Sequence, residues 1–460
     1  MNIRYKWLAA LALLAVSCKV TQPYQQPDPG PAALYRDHVG NDTNSIATRP
    51  WQYFFTDSLL QQLINRGINE NLDLKIAMQR IAAAQAAFRQ SRQAFLPDLN
   101  ATASVKQSRL AFPQGFGLIN TATQYDAGLT ASWEVDIWGK LRSSKKAAQA
   151  ALLSTIAGRQ AVQSSLIADI AGTYYTLLAL DEQLRVLQQT LANRNEDVNS
   201  MRDLKASGIV NGAAVVQSEA NQYAAAVAIP DVKRQIRETE NALSILLTLP
   251  PGAIRRSALP AQQLPGNLST GIPAQLLSRR PDVQAAELLF RNTFEQTNVA
   301  RTAFYPSLNI TASGGFSSFD FAKWFTSDGL FANIIGGITQ PVFNKGLNKA
   351  RLATAQAQQQ EALYNFSKVM LAAGKEVSDA LYSLESVTEK KENREKQLAS
   401  LEKAVDFTKE LLRYSSTTNY TDVLTSEQNL LNAQIGKIND QLQQWQAVIA
   451  LYHAVGGGAN

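Results

Sequence analysis

An internal duplication constrains this chain more than any other feature of its sequence. Residues 94–104 (AFLPDLNATAS) and 303–313 (AFYPSLNITAS) are identical at eight of eleven positions, at an offset of 209 residues. Residues 218–219 recur as 426–427 at nearly the same offset. A repeat of this length is one structural plan used twice. The order of its segments predicts a helix, a strand pair, a long helix, a short turn and a returning helix in each half.

The predicted strands have one apolar and one polar face. From 125 to 137 every odd position is apolar, and every even position except Gly128 is polar. Apolar residues also recur at every second position in 99–106, 308–312 and 330–338. Such alternation over thirteen residues is typical of a strand between lipid and water. A soluble β-sandwich is the alternative, but only four strands are present and they exceed the usual length of about five to six residues.

Aromatic residues gather at the ends of these strands, as in the interfacial girdles of membrane barrels. One group surrounds a single turn and comprises Phe316, Phe319, Phe321, Trp324, Phe325 and Phe331. The other lies at the opposite strand ends and comprises Phe95, Trp138, Phe304, Tyr305 and Phe343. Four strands cannot close a membrane barrel, because the smallest has about eight and an open edge leaves backbone groups unpaired in lipid. Several chains must therefore share one barrel.

Two windows of more than a hundred residues lack proline and are rich in Ala, Gln, Leu and Glu. They predict helices over 139–207 and 346–414, each about 100 Å long at 1.5 Å per residue. Short turns at 208–212 and 415–420 then reverse the chain into returning helices. A solvent-exposed coiled-coil rod would have the same pattern. We favour a closed helical tube, because a tube continues an oligomeric barrel.

The N-terminus has the features of a secretion signal followed by a lipid-attachment site. Arg4 and Lys6 precede an apolar run over 7–16, which covers about 15 Å as a helix and is too short to span a membrane. Cys18, the only cysteine, follows small residues as in the lipobox of bacterial lipoproteins. That resemblance implies a diacylglycerol and an N-acyl chain on Cys18. The alternative is an unmodified thiol.

These features together predict the domain organisation. We expect a signal peptide at 1–17, a lipidated N-terminal tether at 18–50, a first structural repeat at 51–252, a linker at 253–272 and a second structural repeat at 273–460. The predicted fold class is an α+β membrane protein in which a shared β-barrel continues into a long α-helical barrel.

The composition argues against an enzyme. Only two histidines and one cysteine occur, so the chain has very few residues that could form a His/Cys metal site or a histidine-based catalytic triad. No phosphate-binding glycine loop or nucleophile elbow is present in the sequence. The net charge of +6 is spread thinly over 460 residues and predicts no nucleic-acid partner. We therefore expect no catalytic, cofactor-binding or metal-binding residues, and no cofactor besides the lipid on Cys18.

Three segments carry a resemblance to a known family. They are 131–142 (ASWEVDIWGKLR), 272–283 (IPAQLLSRRPDV) and 339–343 (TQPVF), and the stretch around 423–434 with the glycines at 456–458 matches as well. These residues closely resemble the TolC-like outer-membrane factors, specifically the NodT-type lipoproteins that serve RND efflux systems. The resemblance covers both repeats in register.

The resemblance implies a homotrimer in the outer membrane, with a twelve-stranded barrel and a twelve-helix tunnel in the periplasm. Its partners would be a periplasmic adaptor (membrane fusion protein), an inner-membrane RND transporter and outer-membrane lipid. The duct would conduct substrates passively from the transporter to the outside. Two alternatives stay open: a type I protein-secretion exit duct of the same fold, and a cell-envelope scaffold that transports nothing.

The two helix reversals form the predicted periplasmic tip, where the tunnel is gated or an adaptor binds. The candidate residues are Gly208, Asn211, Gly212, Asn419, Tyr420 and Asp422. An alternative role for Asp422 is to cap the first turn of the returning helix, where the helix dipole favours an acidic side chain.

Overall fold

A computed structural model describes residues 20–28, 49–109, 121–264, 280–414 and 419–458. Its longer elements, in chain order, are α1 (Ser58–Glu70), α2 (Leu72–Gln93), β1 (Asp98–Arg109), β2 (Thr121–Val135), α3 (Lys140–Ala206), α4 (Gly212–Leu246), α5 (Pro281–Thr302), β3 (Ser307–Ser318), β4 (Leu330–Thr339), α6 (Leu347–Tyr414) and α7 (Tyr420–Ala454). Helix, strand pair, long helix and returning helix follow one another twice. The predicted plan of two repeats is confirmed.

The four strands form one antiparallel sheet in the order β1-β2-β3-β4. The two predicted hairpins are β1-β2 and β3-β4, and β2 pairs with β3 over eleven residue pairs, from Tyr125↔Ser318 to Val135↔Leu308. The two repeats therefore share one continuous sheet. Within the described chain, β1 and β4 are its two edges and each pairs on one side only.

The two longest helices have nearly the predicted bounds. α3 has 67 residues and α6 has 68, so each extends about 100 Å. α3 ends because Gly208 adopts a φ of +75°, which an L side chain rarely does. The N–H groups of Gly208 and Ile209 then bond the carbonyls of Lys205 and Leu204, as in a Schellman motif. No helix in the described residues combines the length and apolar character that crossing a membrane requires.

The chain divides into two compact units, and each unit draws on both repeats. The first comprises 80–155 and 285–366 together with the described residues 20–28, and it contains the sheet. Inside it, α5 is bonded to both long helices through polar side chains, the half-buried Asn292 and the buried Thr297. Asn292 Nδ2 donates to the Ala147 carbonyl at 2.8 Å, and Thr297 Oγ1 donates to the Ala355 carbonyl at 3.1 Å.

The second unit contains the remaining helical segments and an aromatic core. The rings of Tyr175 and Trp445 are stacked with centroids 4.1 Å apart, and those of Phe54 and Tyr452 are 4.6 Å apart. All four side chains are buried. Because large aromatic side chains bury much apolar area, this cluster fixes the start of the first repeat against the end of the second.

Two of the sequence motifs have structural explanations in this second unit. The buried Arg280 guanidinium contacts the carboxylates of Asp282 and Glu376, at 2.8 and 2.7 Å, and donates to the Ala454 carbonyl at 2.8 Å. A Cβ atom added to Gly457 would lie 2.4 Å from the Tyr452 ring. The Arg-Pro-Asp motif and the glycine run therefore hold the C-terminal end of α7 in place.

The predicted linker is fixed to this unit by several carboxylates: Asp181 and Glu240 bind Arg256, and Asp57 binds the residues that follow it. Asp57 Oδ2 accepts hydrogen bonds from the hydroxyls of Tyr174 and Ser257 and from Gln262 Nε2, while its other oxygen caps α1. Burial by itself would raise the pKa of the Asp57 carboxyl, but these hydrogen bonds outweigh burial and hold the pKa below its ordinary value. The charged form of Asp57 thus anchors residues 257–262.

Candidate functional site

The register of the sheet places all four apolar series on one face. Leu99 pairs with Ala131, Trp133 with Ile310, and Leu308 with Ile338. Directly paired residues of an antiparallel sheet point to the same side. The apolar face therefore consists of Leu99, Ala101, Ala103, Val105, Tyr125, Ala127, Leu129, Ala131, Trp133, Val135, Leu308, Ile310, Ala312, Gly314, Phe316, Leu330, Ala332, Ile334, Gly336 and Ile338.

This apolar face is open in the single chain. Leu99 is 66% exposed and Ile334 is 81% exposed, and Leu129 and Ile338 are exposed as well. A contiguous apolar surface of this extent marks contact with a membrane or another protein. An alternating strand with this face outward is the arrangement expected of a barrel wall in lipid.

The opposite face carries most of the polar residues of the sheet. Gln124 Nε2 donates to Asp126 Oδ1 at 3.0 Å and to Ser317 Oγ at 3.2 Å, and the Ser317 hydroxyl donates to Asp126 Oδ1 at 2.7 Å. These bonds join β2 to β3 across the boundary between the two repeats. A water-filled lumen is the environment that such a face requires.

Two apolar residues of β4, Phe331 and Ile335, also lie on this polar face, which the sequence did not lead us to expect. The Phe331 ring lies over Gly128, where an added Cβ would be 3.5 Å from Phe331 Cζ. A Cβ at Gly315 would be 2.2 Å from the Ala127 carbonyl oxygen. Glycine is therefore required at these positions, because neighbouring backbone and one aromatic ring occupy the space.

Of the predicted tip residues, the first three form a compact helix reversal. Gly208 ends α3 in the left-handed conformation, Asn211 is the N-cap of α4, and Gly212 is the first residue of that helix. The Asn211 side chain accepts a hydrogen bond from the Ala214 N–H at 3.1 Å. These residues were predicted as part of the periplasmic tip, and Gly208 and Asn211 have defined roles in ending one helix and starting the next.

The second reversal includes residues 415–418, which lie outside the described residues. At its end, Asn419 and Asp422 form a capping box, in which each side chain accepts a hydrogen bond from the other residue's N–H at 3.2 Å. Asp422 therefore makes the hydrogen bonds that its alternative role, capping the first turn of the returning helix, requires. Asp422 is nevertheless exposed, and its role as a gate stays a prediction.

Tyr420 differs from the other tip candidates because its side chain is buried within its own chain. It packs with Met201, Val215, Leu412 and Val423 in a cluster that takes residues from all four long helices. Burial raises the pKa of the Tyr420 hydroxyl. Only 6% of the residue is exposed, so the ring is a packing element beneath the tip.

A groove of about 680 Å³ lies between the first reversal and the described residues on either side of the second. Its lining includes Ile209, Val210, Asn211 and Ala214 from the first reversal, and Leu412, Tyr414, Asn419 and Tyr420 from the second. Ile209 is 56% exposed and Tyr414 is 83% exposed. The groove between the two capped helix ends is therefore accessible, and its lining mixes these exposed apolar side chains with polar ones such as Asn211 and Asn419.

A buried ionic cluster, which the sequence analysis did not identify, links three helices of the second unit. The Glu427 carboxylate contacts the Arg194 guanidinium and accepts from Lys409 Nζ at 2.7 Å, and Lys409 Nζ lies 3.3 Å from Asp197 Oδ1. Burial raises the pKa of the Glu427 carboxyl, and the two cations oppose that effect. The recurrence of residues 218–219 as 426–427 was a signal that could have drawn attention to Glu427.

The sheet has an exposed apolar face, a polar opposite face and two edges, and it is joined to helical hairpins about 100 Å long. These are the features of a subunit of an outer-membrane channel. The sequence profile of the outer membrane efflux protein family matches residues 63–248 and 272–457, once in each half. This chain belongs to that family. It is an outer-membrane exit channel of an efflux system, as the sequence predicted.

Individual relatives agree with this assignment. The chain is 30% identical to the pyoverdine export outer membrane protein OpmQ of Pseudomonas putida, over 99% of this chain and 97% of the relative. It is 28% identical to the probable outer membrane lipoprotein SilC of Salmonella typhimurium, over 98% of each chain. The solved open-state structure of the Neisseria gonorrhoeae MtrE outer membrane channel matches with a TM-score of 0.84 at 26% identity, over 96% of this chain and 99% of that one.

The two faces of β2 predict opposite effects for neighbouring arginines. Leu129→Arg should lower the yield of assembled channel, because a cation on the lipid face near the midplane costs about 2 to 4 kcal/mol per chain. Thr130→Arg is the matched control on the polar face and should assemble like the parent. The measurement is the fraction of heat-sensitive oligomer in outer-membrane extracts on semi-native gels. Equal yields for both variants would contradict the assignment of the faces.

The buried ionic cluster predicts a local loss of stability in Glu427→Gln. The substitution leaves the buried Arg194 without a full counter-charge, and breaking such a pair costs about 3 kcal/mol. Hydrogen–deuterium exchange should become faster around 190–198 and 405–427 of the assembled channel. Glu238→Gln removes the same charge from the exposed Arg234–Glu238 pair and should leave exchange unchanged. Unaltered exchange in Glu427→Gln would show that the cluster does not stabilise this region.

Proposed function

We propose that three copies of this chain form one duct that passively conducts cargo across the outer membrane. The barrel would have twelve strands, four from each chain, and the periplasmic tunnel would have twelve long helices. An inner-membrane RND transporter would supply the energy, and a periplasmic adaptor would connect it to the tip. The duct itself would carry out no chemistry.

The two edges of the sheet are the observation that carries this proposal. Among the residues that the structure describes, β1 and β4 each pair on one side only, and their apolar face is exposed. In lipid each unpaired backbone group costs several kcal/mol, so these edges must pair with other copies. Three copies give twelve strands, a number within the range of closed membrane barrels. The resemblance to the TolC-like factors supports the same number.

The channel itself is tested by planar-bilayer recording of the purified assembly. A duct with a polar lumen should give discrete single-channel currents. A type I secretion duct would give currents too, but it would restore export of a protein with an ABC exporter and not efflux with an RND transporter. A scaffold without a lumen would give no current, and that result would refute the proposal.

We propose the groove between the two helix reversals as the adaptor contact. Ile209 and Tyr414 present exposed apolar surface at its rim, and Gly208, Asn211, Gly212 and Asn419 shape the backbone around it. A groove with exposed apolar side chains at its rim and polar groups along its lining suits the docking of an amphipathic partner helix hairpin. Tyr420 supports this surface from beneath, because its ring is buried.

Asp422 is the tip residue that we propose to act in gating. Asp422→Ala should raise the single-channel current of the isolated assembly, because three acidic side chains would leave the tip. Asn211→Ala is the control, because it removes a helix cap at the other reversal without removing a charge. Both variants should lose about 1 kcal/mol of cap stabilisation per chain. An unchanged current in Asp422→Ala, together with this loss of stability, would leave Asp422 only its capping role.

We also propose that Cys18 carries the lipid anchor, although it lies outside the described residues. The segment that follows it is held against α5. The Gln22 N–H donates to Asn298 Oδ1 and the Gln22 carbonyl accepts from Asn298 Nδ2, both at 3.0 Å, while the Tyr24 ring contacts Phe294. An anchor at Cys18 would therefore sit only a few residues from a fixed point of the unit that contains the sheet.

Lipidation is tested by metabolic labelling with radioactive palmitate. The parent chain should incorporate the label and Cys18→Ser should not, because Cys18 is the only cysteine. Ser17→Ala, which keeps a small residue before Cys18, is the control and should be labelled. Labelling of Cys18→Ser equal to that of the parent would refute the assignment.

We also propose the domain boundaries that the sequence predicts. They are a signal peptide at 1–17, a lipidated tether at 18–50, a first repeat at 51–252, a linker at 253–272 and a second repeat at 273–460.

A further inference from the structure

Residues 319–329, which we call the β3–β4 loop, connect two strands at the end of the sheet away from the helices. The loop has a defined shape that its own hydrogen bonds maintain. Asp320 Oδ1 accepts from the Ala322 N–H at 3.0 Å, and the Thr326 hydroxyl donates to the Lys323 carbonyl at 2.8 Å. Both bonds close short helical turns and thereby fix the backbone of the loop.

The loop also closes tightly against its own backbone and against β3. A Cβ atom at Gly329 would lie 2.7 Å from the Trp324 carbonyl oxygen and 3.2 Å from the Ser317 carbonyl oxygen. Only glycine fits such an approach without displacing the backbone. The direction in which the loop leaves β3 is therefore built into its backbone.

That direction is toward the apolar face of the sheet. The rings of Phe321 and Trp324 each lie 5.4 Å from the ring of Tyr125, and the ring of Phe325 lies 5.5 Å from that of Phe316. Tyr125 and Phe316 both belong to the apolar face by the register of the sheet. The loop thus folds over the apolar side of the barrel wall and away from the polar side.

Three phenylalanines of the loop remain uncovered in this arrangement. Phe319, Phe321 and Phe325 are 72%, 69% and 66% exposed. They continue the exposed apolar face through Leu330, the first residue of β4. Whatever covers that face therefore extends to the loop, and for a barrel wall this is lipid.

We propose that the β3–β4 loop is a membrane anchor that inserts Phe319, Phe321 and Phe325 into the outer leaflet. The inference rests on the proposed barrel. Aromatic side chains are favoured at the boundary between headgroups and acyl chains, where the strand ends lie. Three copies would place nine phenylalanines around the rim.

The anchor has a consequence for export. A loop whose rings are held in lipid cannot swing across the mouth of the barrel without exposing those rings to water. The β3–β4 loops therefore stay clear of the exit, and any closure of the duct is the work of other segments.

The test uses the full-length protein in nanodiscs of phosphatidylcholine that carries a nitroxide near the headgroup or deep in the acyl chain. In the variants Phe321→Cys and Phe325→Cys, an environment-insensitive fluorophore is attached to the new cysteine. The parent chain, whose only cysteine is Cys18, measures how much fluorophore attaches elsewhere. Leu129→Cys marks the apolar face and Asn333→Cys marks the polar face. The shallow nitroxide should quench positions 321 and 325, the deep nitroxide should quench 129, and neither should quench 333.

The pattern of quenching separates failure of the anchor from failure of the barrel. If position 129 is quenched by lipid while 321 and 325 are quenched only by aqueous iodide, the loop lies in water and the anchor is refuted. If 321 and 325 resist both quenchers, another protein surface covers them and the anchor is again refuted. Quenching of 333 by lipid in place of 129 would refute the barrel assignment itself.

Discussion

In a hydrocarbon environment every backbone N–H and C=O group needs a hydrogen-bond partner within the protein. In the described part of one chain, the outer edges of β1 and β4 leave two rows of these groups unpaired. Pairing of β2 with β3 satisfies the strands inside one chain, but β1 and β4 still face outward. Closing those edges with other copies removes the penalty. Each long helix follows its strand pair within a few residues, so the copies that close the barrel also bring their long helices together.

The division of the sheet into two faces gives this closed wall its function. The register places the apolar residues of all four strands on one face. In a closed ring, the polar residues of these strands would therefore face the lumen, apart from those at the strand ends. Phe331 is accommodated on the polar side because Gly128 leaves room beneath its ring, and Gly315 allows the β2 backbone to approach β3 closely. In the helical region, the buried contacts of Arg194 with Glu427 and the packing of Tyr420 tie the two helical hairpins of one chain together near the tip.

Much of this fold is encoded in local patterns and could be predicted from them. Period-two alternation indicated the four strands, and the proline-free windows with glycines at 139, 208 and 346 indicated the long helices to within a residue or two. Contacts between distant segments could not be predicted in this way. Which segments meet in space cannot be deduced from the spacing of residues within one segment. Examples are the contacts of Gln22 with Asn298, the burial of Tyr420 and the cluster around Glu427.

The number of chains in the assembly tests the central claim most directly. Native mass spectrometry of the channel, extracted from the outer membrane in a mild detergent, measures that number without depending on the function. We expect a single species of three chains, whose sheets together close a twelve-stranded barrel. A stable, membrane-extracted species of one chain, with its sheet edges unpaired, would contradict it.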